Sequence, residues 1–327
     1  MKTLRLIAFI MILASPLNAL TVKLGSPFPE GSPWDSTLKR MAAEWSDITG
    51  GRVRMRIYAG GIAGSEADMI RKMRIRQLDA AVITTFGLKS IVPNTFVMSL
   101  PGILQSEEEL DYVIERFTPR FSQDFINQGF RILAWSKSGW AYFFTGHEQL
   151  SPALLRNDRL AVSNTDEELA ANFKAMGFNV VPTGLNEVVV GLQSGMINAI
   201  YCPPMAAAAY QWFPQVPHML EFPVAPVLGG LVISEQTWKR IPSEYHEELA
   251  AAIRDVAREF YAESERLNAE AKRVMKGYGV TFESVGETAR QEWYEVMREG
   301  HALVVGEGKW IDDAIYADLL TALDEFR

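Results

Sequence analysis

"GLQSGMINAIYCPP", residues 191–204, holds a stop, a strand and a second stop within a short span. Gly195 stands just past an expected helix end, where a positive φ is cheap for glycine. Met196 to Tyr201 then predicts a short buried strand, apolar except at Asn198. Pro203 and Pro204 end it, since neither can donate to a sheet ladder. The chain thus delivers Tyr201 and Cys202 to the carboxyl end of a strand, the edge where open α/β sheets place ligands.

Working outward, strands and helices alternate in two similar runs. From Leu20, "LTVKLGS", "GGRVRMRIYAGG" and "LDAAVITT" predict strands, separated by a helix near 35–49 and the helix "SEADMIRKMRIRQ". The order recurs as "RLAVSN", "DEELAANFKAMG", "FNVVPTG", "LNEVVVGLQSG" and "MINAIYC", and aligning the third strands sets Asp79 against Asn198. Such an order predicts parallel pairing and two α/β lobes around a cleft. "GGLVISEQTWKRI" begins with a strand able to return to the first lobe. Residues 243–276 predict one helix of about 50 Å at 1.5 Å per residue, long enough to brace both lobes. The expected division is 20–142 with 230–258 for lobe I, and 143–229 with 259–327 for lobe II.

Residues 1–19 have the build of a signal peptide: Lys2 and Arg5, an apolar run from Leu6 to Ala14, Pro16, and a small residue at Ala19. No cysteine lies near that cut, so no lipid anchor is expected, and a soluble exported protein is. Removing Lys2 and Arg5 takes the formal charge from −8 to −10. An acidic surface argues against nucleic acid as a partner. The single cysteine, Cys202, excludes an internal disulfide and a cysteine-rich zinc site.

Catalytic or metal constellations are not evident, so neither catalytic residues, a metal nor a cofactor is expected. His147, His218, His246 and His301 are isolated and show no HExxH spacing, and no G-x-S-x-G elbow occurs. "AGGIAGSE", residues 59–66, is a glycine turn that lacks the P-loop lysine. The chain does carry aromatic and apolar residues near strand ends: Phe28, Trp34, Phe86, Trp140, Tyr142, Tyr201 and Met205. Together they predict an apolar cleft.

The segments "ITGGRVRMRIYAGGIAGSEADMI", "SLPGILQSEEE" and "NVVPTGLNEVVVGLQSGMINAIYCPP" resemble the DctP-type periplasmic solute-binding subunits of TRAP transporters. That resemblance implies a periplasmic binding protein-like fold, capture of a small molecule between two lobes, and delivery to membrane subunits. It also places site residues. Where the family carries cleft arginines this chain has Ala141 and Ala161; the family aromatic is Leu185, its asparagine is Cys202, and Asn164 matches a polar position. An arginine–carboxylate pair is bidentate and charge-assisted, and its loss leaves a buried anion unpaired. An apolar or amphipathic ligand is therefore expected. The same pattern is compatible with a subgroup that works with a tetratricopeptide-repeat partner. Two alternatives stay open: an ordinary organic acid held by Arg159, two residues from the expected position, or an exported scaffold or enzyme.

Overall fold

The structure, a computed structural model, describes residues 19–148, 151–164 and 167–327. The signal-peptide reading of residues 1–19 falls outside them, Ala19 excepted. Among the described residues no helix is long and apolar enough to cross a membrane.

The first run of elements is β1 (Leu20–Gly25), α1 (Pro33–Ile48), β2 (Val53–Tyr58), α2 (Glu66–Arg74) and β3 (Ala80–Thr84), with β1 pairing parallel to both β2 and β3. Each helix starts at a serine. The Ser32 hydroxyl accepts from the Asp35 amide at 3.2 Å, and Ser65 forms a reciprocal capping box with Asp68. α1 then buries Leu38, Met41 and Trp45 at helical spacing. α3 (Thr85–Ile91), a 3-10 segment over 93–99 and α4 (Glu107–Asn127) lead into the long strand β4 (Phe130–Thr145).

The second run is α5 (Pro152–Leu155), β5 (Arg159–Ser163), α6 (Glu167–Ala175), β6 (Asn179–Thr183), α7 (Val188–Ser194) and β7 (Ala199–Cys202), with β5 parallel to β6 and β7. Gly195 ends α7 at φ 72°. The strand after it starts at Ala199 rather than Met196, which is half exposed. The duplication has a physical counterpart in its third strands. Asp79 accepts from the Lys23 amide of β1 at 2.9 Å, and Asn198 accepts from the Arg159 amide of β5 at 2.6 Å. Each side chain thus locks a third strand to its first.

α8 (Pro204–Ala209), β8 (His218–Leu220), β9 (Ala225–Ser234), α9 (Glu235–Arg240), α10 (His246–Gly277), β10 (Thr281–Glu283), α11 (Glu287–Val304) and α12 (Asp313–Phe326) complete the chain. The strand path is β2-β1-β3-β9-β4-β7-β5-β6, with β9 antiparallel to β3. β4 pairs with β9 through Ala141 and with β7 from Tyr142 onward. α10 buries Leu249 and Ile253 against Trp45 and Trp238, and further along buries Ala271 and Met275 against Phe213 and Val280. One helix therefore serves two cores. The sequence division counted all of 259–327 with the second lobe. α12 lies instead against α4, tied by Arg120–Asp318 at 2.7 Å and Arg327–Glu109 at 2.9 Å. The apolar stripe of an amphipathic helix does not say which lobe it will cover.

His301 on α11 fastens this end of the chain. Its Nε2 donates to the Pro101 carbonyl at 2.8 Å and its Nδ1 accepts from the Tyr316 hydroxyl at 2.9 Å, a tautomer assigned from those partners. Burial pushes its pKa down to about 4, helped by the nearby Arg298 charge. The unfolded chain takes up this proton near pH 6.5 and the folded chain does not. The contribution is therefore complete above that pH and is lost as pH falls toward the folded value, about 3 kcal/mol in all. The thermal midpoint should fall from pH 6.5 to 4, and fall less steeply in His301→Gln than in the parent. Equal slopes would show that His301 is not held neutral.

Candidate functional site

The carboxyl ends of β3, β5 and β7 face the start of β9 across a cavity of about 240 Å³. Thr84, Thr85 and Phe86 come from the end of β3, Ala161 to Ser163 from β5, and Tyr201, Cys202 and Pro203 from β7. Pro226, Val227 and Leu228 of β9 and Ala141 of β4 close it, with Phe96, Ser99 and Leu169. A second cavity of about 250 Å³ adjoins, lined by Leu185, Val188, Ile200, Ala206, Tyr210, Trp212 and Thr183. The two share Ala161, Val162, Ser163, Tyr201 and Cys202.

Of the residues singled out in the sequence, Phe86, Ala141, Ala161, Tyr201 and Cys202 line the first cavity, and Leu185 lines the second. Asn164 sits at the turn after β5, its amide bonded to the Thr183 carbonyl at 3.2 Å. The rest lie elsewhere. Successive side chains of a strand face opposite ways, so with Ala141 in the cavity its neighbours turn from it. Trp140 donates from Nε1 to Glu107 at 3.1 Å. Tyr142 lies with Lys272 over its ring at 4.6 Å, in a polar recess with Glu221 and Arg290, and burial pushes its phenol up to about 12. Phe28, Trp34 and Phe260 of α10 pack as tilted rings, at centroid distances of 5.2, 5.4 and 5.8 Å. That cluster covers the first core instead of the cleft. Met205 donates its amide to Asn268 at 3.1 Å and packs on the second core.

Sequence reasoning missed the hydroxyls. Thr85 donates to the Leu228 carbonyl at 3.0 Å and meets the Ser99 hydroxyl at 3.2 Å, so both sit fixed on the cavity wall. In the sequence, "TTFG" looks only like a strand passing into a helix. Glu66 was missed as well. Its carboxylate accepts from the Thr84 amide at 2.9 Å and hydroxyl at 3.0 Å and from the Gly87 amide, and burial raises its pKa. A Cβ on Gly87 would lie 2.7 Å from that carboxylate, which is why glycine follows Phe86. Glu66 is thus the clamp for the turn that presents Phe86.

The electrostatics of the two cavities are plain: among the described residues lining them, none is charged. Arg159 lies at the opposite end of β5, paired with Asn179, and its Nε donates to the Gly195 carbonyl at 3.0 Å. It therefore does not reach the cleft. Lys89 is the neighbouring cation, its Nζ 5.2 and 4.9 Å from the ring centroids of Phe86 and Phe96 and 5.5 Å from that of Trp310. The histidines line neither cavity. His147 meets Asp158 at 2.8 Å, His218 meets Glu283 at 2.5 Å, and His246 meets the Ile241 carbonyl at 2.9 Å. No three metal-ligating side chains gather among the described residues.

The family model of the bacterial extracellular solute-binding proteins, family 7 (DctP), matches residues 24–305. A solute-binding protein of Chromohalobacter salexigens is 24% identical over 235 residues, 71% of this chain and 69% of that one. A TRAP periplasmic solute-binding protein from Rhodobacter sphaeroides, solved apo and open, aligns at a TM-score of 0.82 with 19% identity, covering 94% of this chain and 100% of that one. Another, from Xanthobacter autotrophicus with bound β-D-galacturonate, gives 0.78 at 17% identity, covering 93% and 99%. At these identities the structures speak for a shared two-lobed fold.

Cys202 is buried, and that burial pushes its thiol pKa well above the usual range. A protonated, enclosed thiol is a poor nucleophile. A thiol reagent at neutral pH should leave the native protein unlabelled and label it fully in denaturant. Rapid labelling of the native protein would show an open, ionised thiol.

Proposed function

We propose a ligand class for this chain from one premise: it belongs to the bacterial extracellular solute-binding proteins of family 7, whose model spans most of its length. A solute-binding protein needs a cleft and selective lining, with no reacting groups. The ligand we propose is small, uncharged over most of its surface, and apolar or amphipathic. It is captured between the lobes and handed to TRAP membrane subunits in the periplasm. The supporting observation is the absence of charge from the described lining of both cavities, with Ala141 and Ala161 on the wall.

Magnitudes favour this reading. The Xanthobacter relative holds β-D-galacturonate, an acid. A carboxylate buried here without a guanidinium partner would cost about 3–5 kcal/mol. An apolar ligand burying about 300 Å² gains roughly 7 kcal/mol before association entropy is subtracted. The hydroxyls of Thr84, Thr85 and Ser99 suit a polar end, and Phe86, Leu185, Tyr201 and Cys202 an apolar one, with Asn164 at the rim. The proposed lobes divide at residue 142, where β4 changes partner, and close about the β4 and β9 crossings. A tetratricopeptide-repeat partner rests on the resemblance alone.

Calorimetry against fatty alcohols, isoprenoids and uronic acids tests the reading. Apolar ligands should bind with a negative heat-capacity change and little dependence on ionic strength. Ala161→Asp should weaken them by about tenfold or more, through an unpaired charge in the cleft. Tight, salt-sensitive binding of a uronate would contradict the proposal.

A further inference from the structure

A second group of charges lies away from the cleft. β8 and β10 pair in parallel as far as Leu220 and Glu283, so Glu221 and Ser284 leave the ladder side by side. The Ser284 hydroxyl donates to the Glu221 carboxylate at 3.0 Å. With Tyr142 of β4, Lys272 of α10 and Arg290 of α11, they line a recess of about 340 Å³. It shares no lining residue with either cleft cavity. Two cations therefore face one carboxylate there. In a chain whose 40 acids outnumber its 32 lysines and arginines, a partly buried cation ordinarily finds an acid. Arg266 of α10 does so even near the surface, pairing with Glu263 and Glu270 at 2.7 and 2.9 Å. Lys272, half-buried on the same helix, makes no ion pair among the described residues, and its Nζ lies 4.6 Å from the Tyr142 ring centroid. The Arg290 guanidinium is likewise without an ion pair among the described residues and lies 6.0 Å from the Phe222 ring centroid.

We propose that this recess is a second binding site, taking a small oxyanion between Lys272 and Arg290 with the Tyr142 hydroxyl as a further donor. A guanidinium forks onto two oxygens of such an anion, and an ammonium adds a point charge beside it. The Tyr142 and Phe222 rings give the two cationic heads aromatic faces to rest on, which limits the freedom they lose on binding. Burial holds the Lys272 ammonium below its ordinary pKa, although the Glu221 and Glu265 charges act to raise it. An anion in the recess would favour the charged form and offset that cost. The Tyr142 phenol, pushed up to about 12 by burial, stays an O–H donor at neutral pH. Glu221 remains as an opposing charge, so the recess suits a compact anion and not a polyanion. The site asks nothing of the ligand in the cleft, and the two proposals stand or fall separately.

Inorganic phosphate is the probe, titrated by calorimetry into the whole chain at an ionic strength held constant with sodium chloride. One phosphate should bind per chain. Lys272→Met, and independently Arg290→Gln, should weaken it about tenfold or more, since each removes a charge-assisted contact. Arg290→Gln serves as the readout if Lys272→Met does not fold. Lys276→Met takes away an exposed charge about one turn further along α10 and should leave the affinity unchanged. Absence of phosphate binding in the parent would overturn the site. So would binding that both recess variants retain, or an equal loss in Lys276→Met, which would mark a diffuse surface effect. None of these outcomes bears on the apolar cleft.

Discussion

Strand β4 keeps β9 as its neighbour as far as Ala141 and takes β7 from Tyr142, so one strand belongs to two sheets. Everything at the cleft depends on that exchange. The ladder with β9 shifts register between Lys137 and Trp140, a bulge of the kind that re-aims side chains beside binding sites. Gly139 makes it possible: φ is 88°, and a Cβ there would lie 2.5 Å from the Asn268 amide nitrogen. Asn268 in turn donates to the Ser138 carbonyl at 3.1 Å and accepts from the Met205 amide at 3.1 Å. A single side chain of α10 thus joins the crossing strand to α8.

The seam also sorts charge. Lys137 pairs with Glu107 and Asp111 and sits 3.8 Å from the Tyr261 ring centroid, and Trp140 donates to the same Glu107. These groups satisfy one another away from the cavities. Ala141, one residue on, turns toward the first cavity with nothing polar to offer. An ion cluster and an apolar cleft are thereby built from adjacent residues of one strand. The family relatives share the frame, and the lining sets what each one holds.

Much of the frame was legible because it is local. Gly195 marked a helix end, the third strands of the two runs aligned at Asp79 and Asn198, and the long helix announced itself by composition. Those signals act within one element or between elements of like order. What stayed hidden depends on facing. Trp140 and Tyr142 were counted with Ala141, although alternation allows a face only every second residue. Phe28 and Trp34 looked like cleft aromatics, yet Phe260, more than two hundred residues on, claims them. Thr85 and Ser99 gave no signal, because a hydroxyl matters only once the fold sets another across from it. Ala141 and Ala161 line the first cavity as uncharged residues, and an absence of charge needs no geometry to notice.

The central claim is that a cleft at this seam, whose described lining carries no charge, selects an apolar or amphipathic solute. Native mass spectrometry of gently purified protein, with extraction and identification of the retained molecule, tests it most directly. The account predicts a neutral or weakly polar amphiphile with one polar end. A uronate or small dicarboxylate retained in stoichiometric amount would contradict it.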